Sequence, residues 1–171
     1  TVPIDDLRAQ FSRINAFSVL RTALQRRYPA GYDLLVAEQN DPYTSSFTDR
    51  SSFALAMESG MTEVHEATHG WDYGHALFYQ YFGYWIRGDL QHQLDFSIAG
   101  FPRSEIYSMV ENGSTDLYRN LYLVGSQGQD GFIELLDETN CYINGLGAIA
   151  ALQEFTPYGI SGRDGAVAFL Y

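Results

Sequence analysis

Apolar positions follow two different patterns in the first third of the chain. Between residues 4 and 29 they recur at helical spacing, and Pro29 and Gly31 indicate where that helix ends. Two short apolar runs follow, at residues 32–37 and 52–57, and they have the length and composition of strands. We therefore expect one long N-terminal helix and then two short strands, separated by a polar loop.

The remaining patterns are typical of helices. One helix should begin near Thr62 and end or bend at Gly70, and the nearly continuous apolar run at 73–86 predicts a second, buried helix. Three more helices are predicted, at residues 104–111, 114–124 and 132–152. This order predicts a predominantly helical α+β fold, organised as a single domain over residues 1–171.

Composition excludes some partners. The 171 residues include 21 acidic and 10 basic side chains, and the formal charge of −11 argues against nucleic acid or an anionic membrane as a partner. The lone Cys141 cannot form an internal disulfide, and no apolar run is long enough for a membrane helix. We expect a soluble protein. The compartment stays open, including secreted or periplasmic locations, and the start at Thr1 suggests a fragment of a longer chain.

The strongest chemical signal is a run of five residues. His65-Glu66-Ala67-Thr68-His69 reads H-E-x-x-H. Positions i and i+4 share one face of a helix, so both imidazoles can bind one zinc ion while the glutamate reaches the zinc-bound water. A shuffled chain of this composition would contain such a run only about once in 200. We therefore interpret it as a zinc site rather than as a solvated helix with two histidines.

A catalytic zinc ion usually has three protein ligands and one water, so a third ligand is needed. Glu138 is the favoured candidate, because a helical wheel of residues 132–152 places it at the edge of the apolar face. A carboxylate there is costly to bury unless it is paired or bound to metal. On the same wheel, Asp137 and Cys141 point roughly the opposite way.

Two alternatives for the third ligand stay open. His75 follows His65 by ten residues, the spacing of the third histidine in H-E-x-x-H-x-x-G-x-x-H peptidases, although Asp72 stands where that motif has glycine. Asp116 lies in a segment similar to the G-T-x-D motif of peptidases with an aspartate ligand. It is better explained as a favourable charge in the first turn of a helix that Ser114 caps.

The motif and the later glutamate resemble the zincin metallopeptidases, and within them the gluzincin-like branch. The resemblance rests on His65, Glu66, His69 and Glu138. It implies a zincin-like fold, with a small N-terminal sheet beside the H-E-x-x-H helix and a helical C-terminal subdomain. In such peptidases an edge strand near the motif helix pairs with the substrate backbone.

The chain departs from the gluzincin pattern N-E-x-x-x-D. Tyr142, not aspartate, stands four residues after Glu138, so the group that orients the zinc-binding histidines is left open. Asp72 is one candidate for that role.

The predicted function is zinc-dependent hydrolysis, with a peptide or protein as the substrate. One zinc ion would lower the pKa of its bound water towards about 7, and Glu66 would act as the general base. A tyrosine would stabilise the oxyanion. Tyr142 and Tyr158 are candidates, and Tyr142 is preferred because it lies one turn from Glu138.

Two alternatives to the peptidase function stay open. One is a non-catalytic binding or structural domain with a vestigial or structural zinc site, and the other is a zinc hydrolase of non-peptide amides or esters.

Overall fold

A computed structural model of the chain describes residues 2–79, 81–95, 101–109 and 117–156, and only the backbone of residues 75–79, 95 and 132. The structure is mostly helical (61%) and has a small two-stranded antiparallel sheet, which confirms the predominantly helical α+β class. Within the described residues, no helix is both long and apolar enough to cross a membrane.

The segment before the H-E-x-x-H run is helical where strands were predicted. Its helices are α1 (Asp5–Gln10), α2 (Ala16–Arg27), α3 (Pro29–Ala37) and α4 (Phe53–Glu58). Both strand predictions are therefore wrong, as is the single helix over residues 4–29. Pro29 starts α3 instead of ending α2, because proline fits the first turn of a helix, where an N–H has no partner. Ser52 caps α4 by accepting a hydrogen bond from the Leu55 N–H at 3.2 Å.

Helix α5 (Gly60–Tyr79) contains the whole H-E-x-x-H run. It begins before Thr62 and does not end at Gly70, so both predicted ends of this helix are wrong. Gly70 serves close packing instead, since a Cβ atom there would lie 3.2 Å from Glu38 Oε2. The apolar run at 73–86 was predicted to be one helix, but only residues 73–79 belong to α5, and residues 81–86 are not helical. These last residues form a strand, for which the aromatic ones among them are well suited.

The sheet follows α5 in the sequence and is not N-terminal, which corrects the predicted arrangement. Strand β1 (Tyr81–Arg87) pairs antiparallel with β2 (Leu90–Asp95), in a register that places Tyr84 opposite His92. Strand β1 packs along α5, so the sheet does lie beside the motif helix. Among the described residues no strand precedes α5, and the expected edge strand at residues 52–57 is absent.

Helix α7 (Phe132–Ala151) agrees with the predicted helix within one residue and packs against α5. Helix α6 (Leu117–Tyr122) lies within the predicted 114–124 helix, whose first three residues are outside the described part. The predicted helix at 104–111 is reduced, in its described residues, to a 3-10 turn at Arg103–Ile106.

The main core lies between α2, α3, α4 and α5, with residues such as Leu20, Leu34, Met57, Val64 and Trp71.

The buried side of α7 carries polar as well as apolar residues. Asp137 and Asn144 are buried there together with Ile133, Cys141 and Ala148, whereas Ile143 is 52% exposed. The wheel assumed that apolar residues mark the buried face, and that assumption fails at Asp137, Asn144 and Ile143. The side chains of α7 that meet α5 and β1 instead make hydrogen bonds, for example from Asn144 Nδ2 to the carbonyl of Trp85 at 3.0 Å.

Candidate metal centre

Three potential metal ligands converge between α5 and α7. His65 and His69 lie one turn apart on α5, and Glu138 faces them from α7. The Nε2 atoms of His65 and His69 are 3.8 and 3.7 Å from the same carboxylate oxygen, Oε2 of Glu138. Tetrahedral zinc with bonds of about 2.0–2.1 Å holds its ligand atoms roughly 3.3 Å apart. The observed spacing therefore needs only a small contraction to fit one zinc ion.

The state of Glu138 also fits a metal ion. Its Oε2 atom is buried and has no hydrogen-bond partner among the described residues. Burial raises the pKa of Glu138, although the neighbouring His69 opposes this shift. A buried oxygen without a partner is costly, and a cation at the meeting point of the three groups would satisfy it.

The two histidines differ in their electrostatic surroundings. Burial lowers the pKa of His65 to about 3, with a smaller contribution from His69, so His65 is neutral at physiological pH. Burial also disfavours the protonated form of His69, but the hydrogen bond to Asp137 and the charge of that carboxylate outweigh it and raise the pKa of His69. Metal binding must therefore displace a proton from His69 at pH values below its pKa.

Asp137 orients His69. The Nδ1–H of His69 donates to Oδ2 of Asp137 at 2.7 Å, and the Asp137 side chain is 1% exposed. This bond fixes the tautomer of the ring and directs its Nε2 lone pair towards Glu138. The prediction that Asp137 points away from the site is wrong, because the side of α7 that carries Asp137 and Asn140 faces α5.

Among the described residues, no hydrogen bond joins Asp72 to His65 or His69, so the prediction that Asp72 orients one of these histidines is wrong. Its carboxyl accepts hydrogen bonds from the Trp85 N–H at 3.1 Å and from Asn140 Nδ2 at 3.0 Å. Burial and the charge of Asp137, with which Asp72 shares a hydrogen bond, raise the pKa of Asp72 to about 9. A neutral Asp72 can thus donate the proton of its hydrogen bond with Asp137, the residue that in turn bonds His69.

Glu66 lies next to the ligands without being one of them. It is half-buried, and burial raises its pKa, with the charge of His69 opposing the shift. Two cavities meet at this residue. One of about 340 Å³ also includes His69, and one of about 190 Å³ also includes His65 and Tyr142. Glu66 therefore faces space that a substrate could occupy beside either histidine.

Tyr142 lies against the centre, and it is joined there by a residue that sequence reasoning missed. Its ring centroid is 4.6 Å from that of His65, and its hydroxyl is 3.0 Å from the hydroxyl of Tyr122. Tyr122 also shares a hydrogen bond with Glu138. Nothing in the spacing of the thirteen tyrosines distinguishes Tyr122, because α6 and α7 meet only in the tertiary structure.

The alternative ligands are not brought to the centre by any described contact. His75 lies on α5 but its side chain is outside the described part, and Asp116 and Tyr158 lie outside the described residues altogether.

A second group of potential ligands is formed by His69, Asp137 and Cys141, and its ligand atoms also lie within 4.8 Å of one another. It suits a metal poorly, because burial raises the pKa of the Cys141 thiol well above its ordinary value and keeps it protonated.

Comparisons with protein-family models, with curated proteins and with solved structures find no match to this chain. The resemblance to zincins therefore rests on the site residues alone, namely His65, Glu66, His69 and Glu138. Membership of that class stays a prediction.

Proposed function

We propose that the protein is a zinc-dependent hydrolase and that it cleaves peptide bonds. The observation that carries the proposal is the meeting of His65, His69 and Glu138 around one unpartnered carboxylate oxygen, with Glu66 beside them. Three protein donors leave the fourth position of a tetrahedral zinc ion for water or substrate, as in catalytic sites. Structural zinc sites are usually closed by four cysteine or histidine ligands and do not need a neighbouring carboxylate.

A bound zinc ion would supply Lewis-acid chemistry, by acidifying a water molecule and polarising a carbonyl group. Glu66 would accept the proton of the attacking water and pass it to the leaving amine. Its raised pKa suits both steps, because an effective acid–base catalyst has a pKa closer to the working pH than an ordinary glutamate has. Asp137 would hold the Nδ1 proton of His69 and so keep Nε2 available for the metal.

Tyr142 is the proposed donor to the oxyanion. It lines the smaller cavity together with His65 and Glu66, and its ring is held against His65. Its hydroxyl group shares a hydrogen bond with that of Tyr122, which in turn bonds Glu138. Tyr122 would therefore restrain both the oxyanion donor and the carboxylate ligand.

Zinc content and hydrolysis, measured on the same preparations, test the proposal. We expect about one zinc per chain in the wild type and in Glu66→Gln, because glutamine keeps the shape of the side chain and does not touch the ligands. Cleavage of unfolded casein and of a peptide library should fall at least ~100-fold in Glu66→Gln, the usual scale for losing a general base. Tyr142→Phe should also keep zinc and lose activity, whereas Glu58→Gln on α4 is the matched control and should change neither.

Three results would contradict parts of the proposal. Zinc content that is unchanged in both His65→Ala and His69→Ala would remove the site. Chelator-sensitive cleavage that survives in Glu66→Gln would remove the proposed base. Zinc binding without cleavage of any peptide would favour a structural zinc site or a hydrolase of non-peptide amides or esters, and a panel of such esters and amides would separate these two.

A further inference from the structure

The larger cavity at Glu66 has an acidic wall. This acidic cavity of about 340 Å³ begins at Glu66 and His69 and extends between α5 and the loop that follows α3. The loop contributes Glu38, at the end of α3, and Asp41. Because the proposed base Glu66 and the proposed ligand His69 both line this cavity, a peptide whose carbonyl lies at the metal centre can place a neighbouring group in it.

Glu38 and Asp41 lie directly against the helix that carries the histidines. A Cβ atom on Gly70, the residue after His69, would be 3.2 Å from Oε2 of Glu38 and 3.9 Å from Oδ2 of Asp41. Any larger residue at position 70 would press on the Glu38 carboxyl. The glycine thus allows two carboxylates to approach the backbone of α5 within one residue of a proposed ligand.

Within the described part of the chain, no arginine or histidine forms an ion pair with either carboxylate. Burial, together with the charge of Asp41, raises the pKa of Glu38 to about 7. The side chain of Glu63, which also lines the cavity, accepts hydrogen bonds from the Ser45 N–H at 2.7 Å and from Thr48 Oγ1 at 2.6 Å. Glu63 therefore has an evident role in holding the loop, and Glu38 has none.

The rest of the cavity suits a long side chain with a charged end. Its walls include the exposed aromatic residues Tyr43, Phe47 and Tyr73. Aromatic faces pack well against a methylene chain and attract ammonium and guanidinium groups. The volume is at the lower end of the range for ligand pockets and leaves room for about one such side chain.

We propose that the acidic cavity binds a cationic group of the substrate, so that the enzyme cleaves next to a guanidinium or ammonium group. The proposal rests on the proposed function and adds a substrate class to it. Glu38 supplies the charge that the cation pairs with, and Asp41 reinforces it. Asp41 is also held in place, since its Oδ1 accepts a hydrogen bond from the Tyr43 N–H at 2.7 Å. The cation has two natural sources, an arginine or lysine side chain and a free α-amino group.

Calorimetric titration tests the cavity independently of catalysis. The probes are N-acetyl-arginine methylamide and its neutral isostere N-acetyl-citrulline methylamide, added to the zinc-loaded protein and to the chelator-treated protein. We expect the arginine compound to bind at least ~10-fold more tightly, the scale of a hydrogen bond to a charged group. In Glu38→Gln/Asp41→Asn the two should bind equally, since asparagine still accepts the Tyr43 N–H. Asp5→Asn/Glu105→Gln removes two exposed carboxylates elsewhere and should keep the preference.

A third probe, norleucine methylamide with a free amino group, separates the sources. If it binds more tightly than its N-acetyl form and citrulline equals arginine, the cation is the substrate amino terminus rather than a side chain. Two results would overturn the proposal. One is equal binding within both pairs of probes, arginine against citrulline and free against acetylated norleucine. The other is a preference for the charged probe that survives in Glu38→Gln/Asp41→Asn. A cation preference without peptide cleavage would support the cavity and contradict the peptidase, whereas peptide cleavage without any cation preference would support the peptidase and contradict the cavity.

Discussion

The hydrogen bond between His69 and Asp137 can be removed with little change in shape. Its atoms are 2.7 Å apart, and its carboxylate is almost completely buried. Asp137→Asn keeps the volume of the side chain but removes its negative charge. We expect the variant to bind zinc more weakly, because the ring of His69 would lose the group that fixes its tautomer and makes Nε2 a better donor.

The size of the loss follows from the charge of the acceptor. A hydrogen bond to a charged group contributes about 1.5–3 kcal/mol, which corresponds to a roughly 10- to 150-fold change in the dissociation constant for zinc. The loss should depend on pH. Asp137 raises the pKa of His69, so in the wild type a proton competes with zinc at low pH. Asp137→Asn weakens that competition, and the difference between the two proteins should therefore be largest at about pH 8 and smaller at about pH 6.

Competition with a fluorescent zinc chelator at both pH values measures the dissociation constants. Glu134→Gln is the matched control, since it makes the same chemical change on α7 and retains an oxygen for its hydrogen bond with the Gly131 N–H. Its zinc affinity should stay within about twofold of the wild type. Circular dichroism establishes that the variants are folded, and long-range ¹⁵N–¹H spectra of the histidines report the tautomer of His69.

A wild-type affinity in folded Asp137→Asn at about pH 8 would refute the argument that this bond prepares His69 for the metal. A loss that is larger at about pH 6 than at about pH 8 would refute the assignment of the raised His69 pKa to Asp137. A similar loss in Glu134→Gln would point to a general effect of charge on α7.

Two further predictions concern the third ligand and a buried carboxyl group. Glu138→Gln should lower zinc affinity at least ~100-fold, while His75→Ala should change it less than about twofold, and the opposite result would identify the three-histidine pattern as the correct one. In the chelator-treated protein, Asp72 has a pKa of about 9 in the folded state against 3.8 ordinarily, so the folded state retains a proton that the unfolded chain releases. The wild-type free energy of unfolding should therefore fall as pH rises from about 5 to about 9, by on the order of 1 kcal/mol per pH unit from this group, and Asp72→Asn should fall less. Urea unfolding across that range measures both proteins, and equal slopes would contradict the assignment.

The sequence by itself determined the local parts of the candidate site. Once residues 60–79 are helical, the spacing of His65 and His69 places both imidazoles on one face, whatever the rest of the fold is. The extent of α7 was also evident, because a long periodic segment has few alternatives to a helix. Glu138 does lie beside the two histidines, but the helical wheel that selected it also placed Asp137 on the wrong side of α7, so the sequence did not determine this part of the site.

Only the tertiary structure decided features that depend on which surfaces meet. The runs at 32–37 and 52–57 are short, and a short apolar run fits a strand or a helix equally well until its neighbours are known. Asp137 faces His69 because the side of α7 that carries Asp137 and Asn140 meets α5. Hydrogen bonds with α5 and β1 stabilise this orientation, and an apolar pattern does not record them. Glu38 comes to lie beside the histidine helix, more than twenty residues away in sequence, because the glycine at position 70 leaves room for it. Periodicity reports the conformation of each segment, whereas the partner of each side chain depends on how the segments pack.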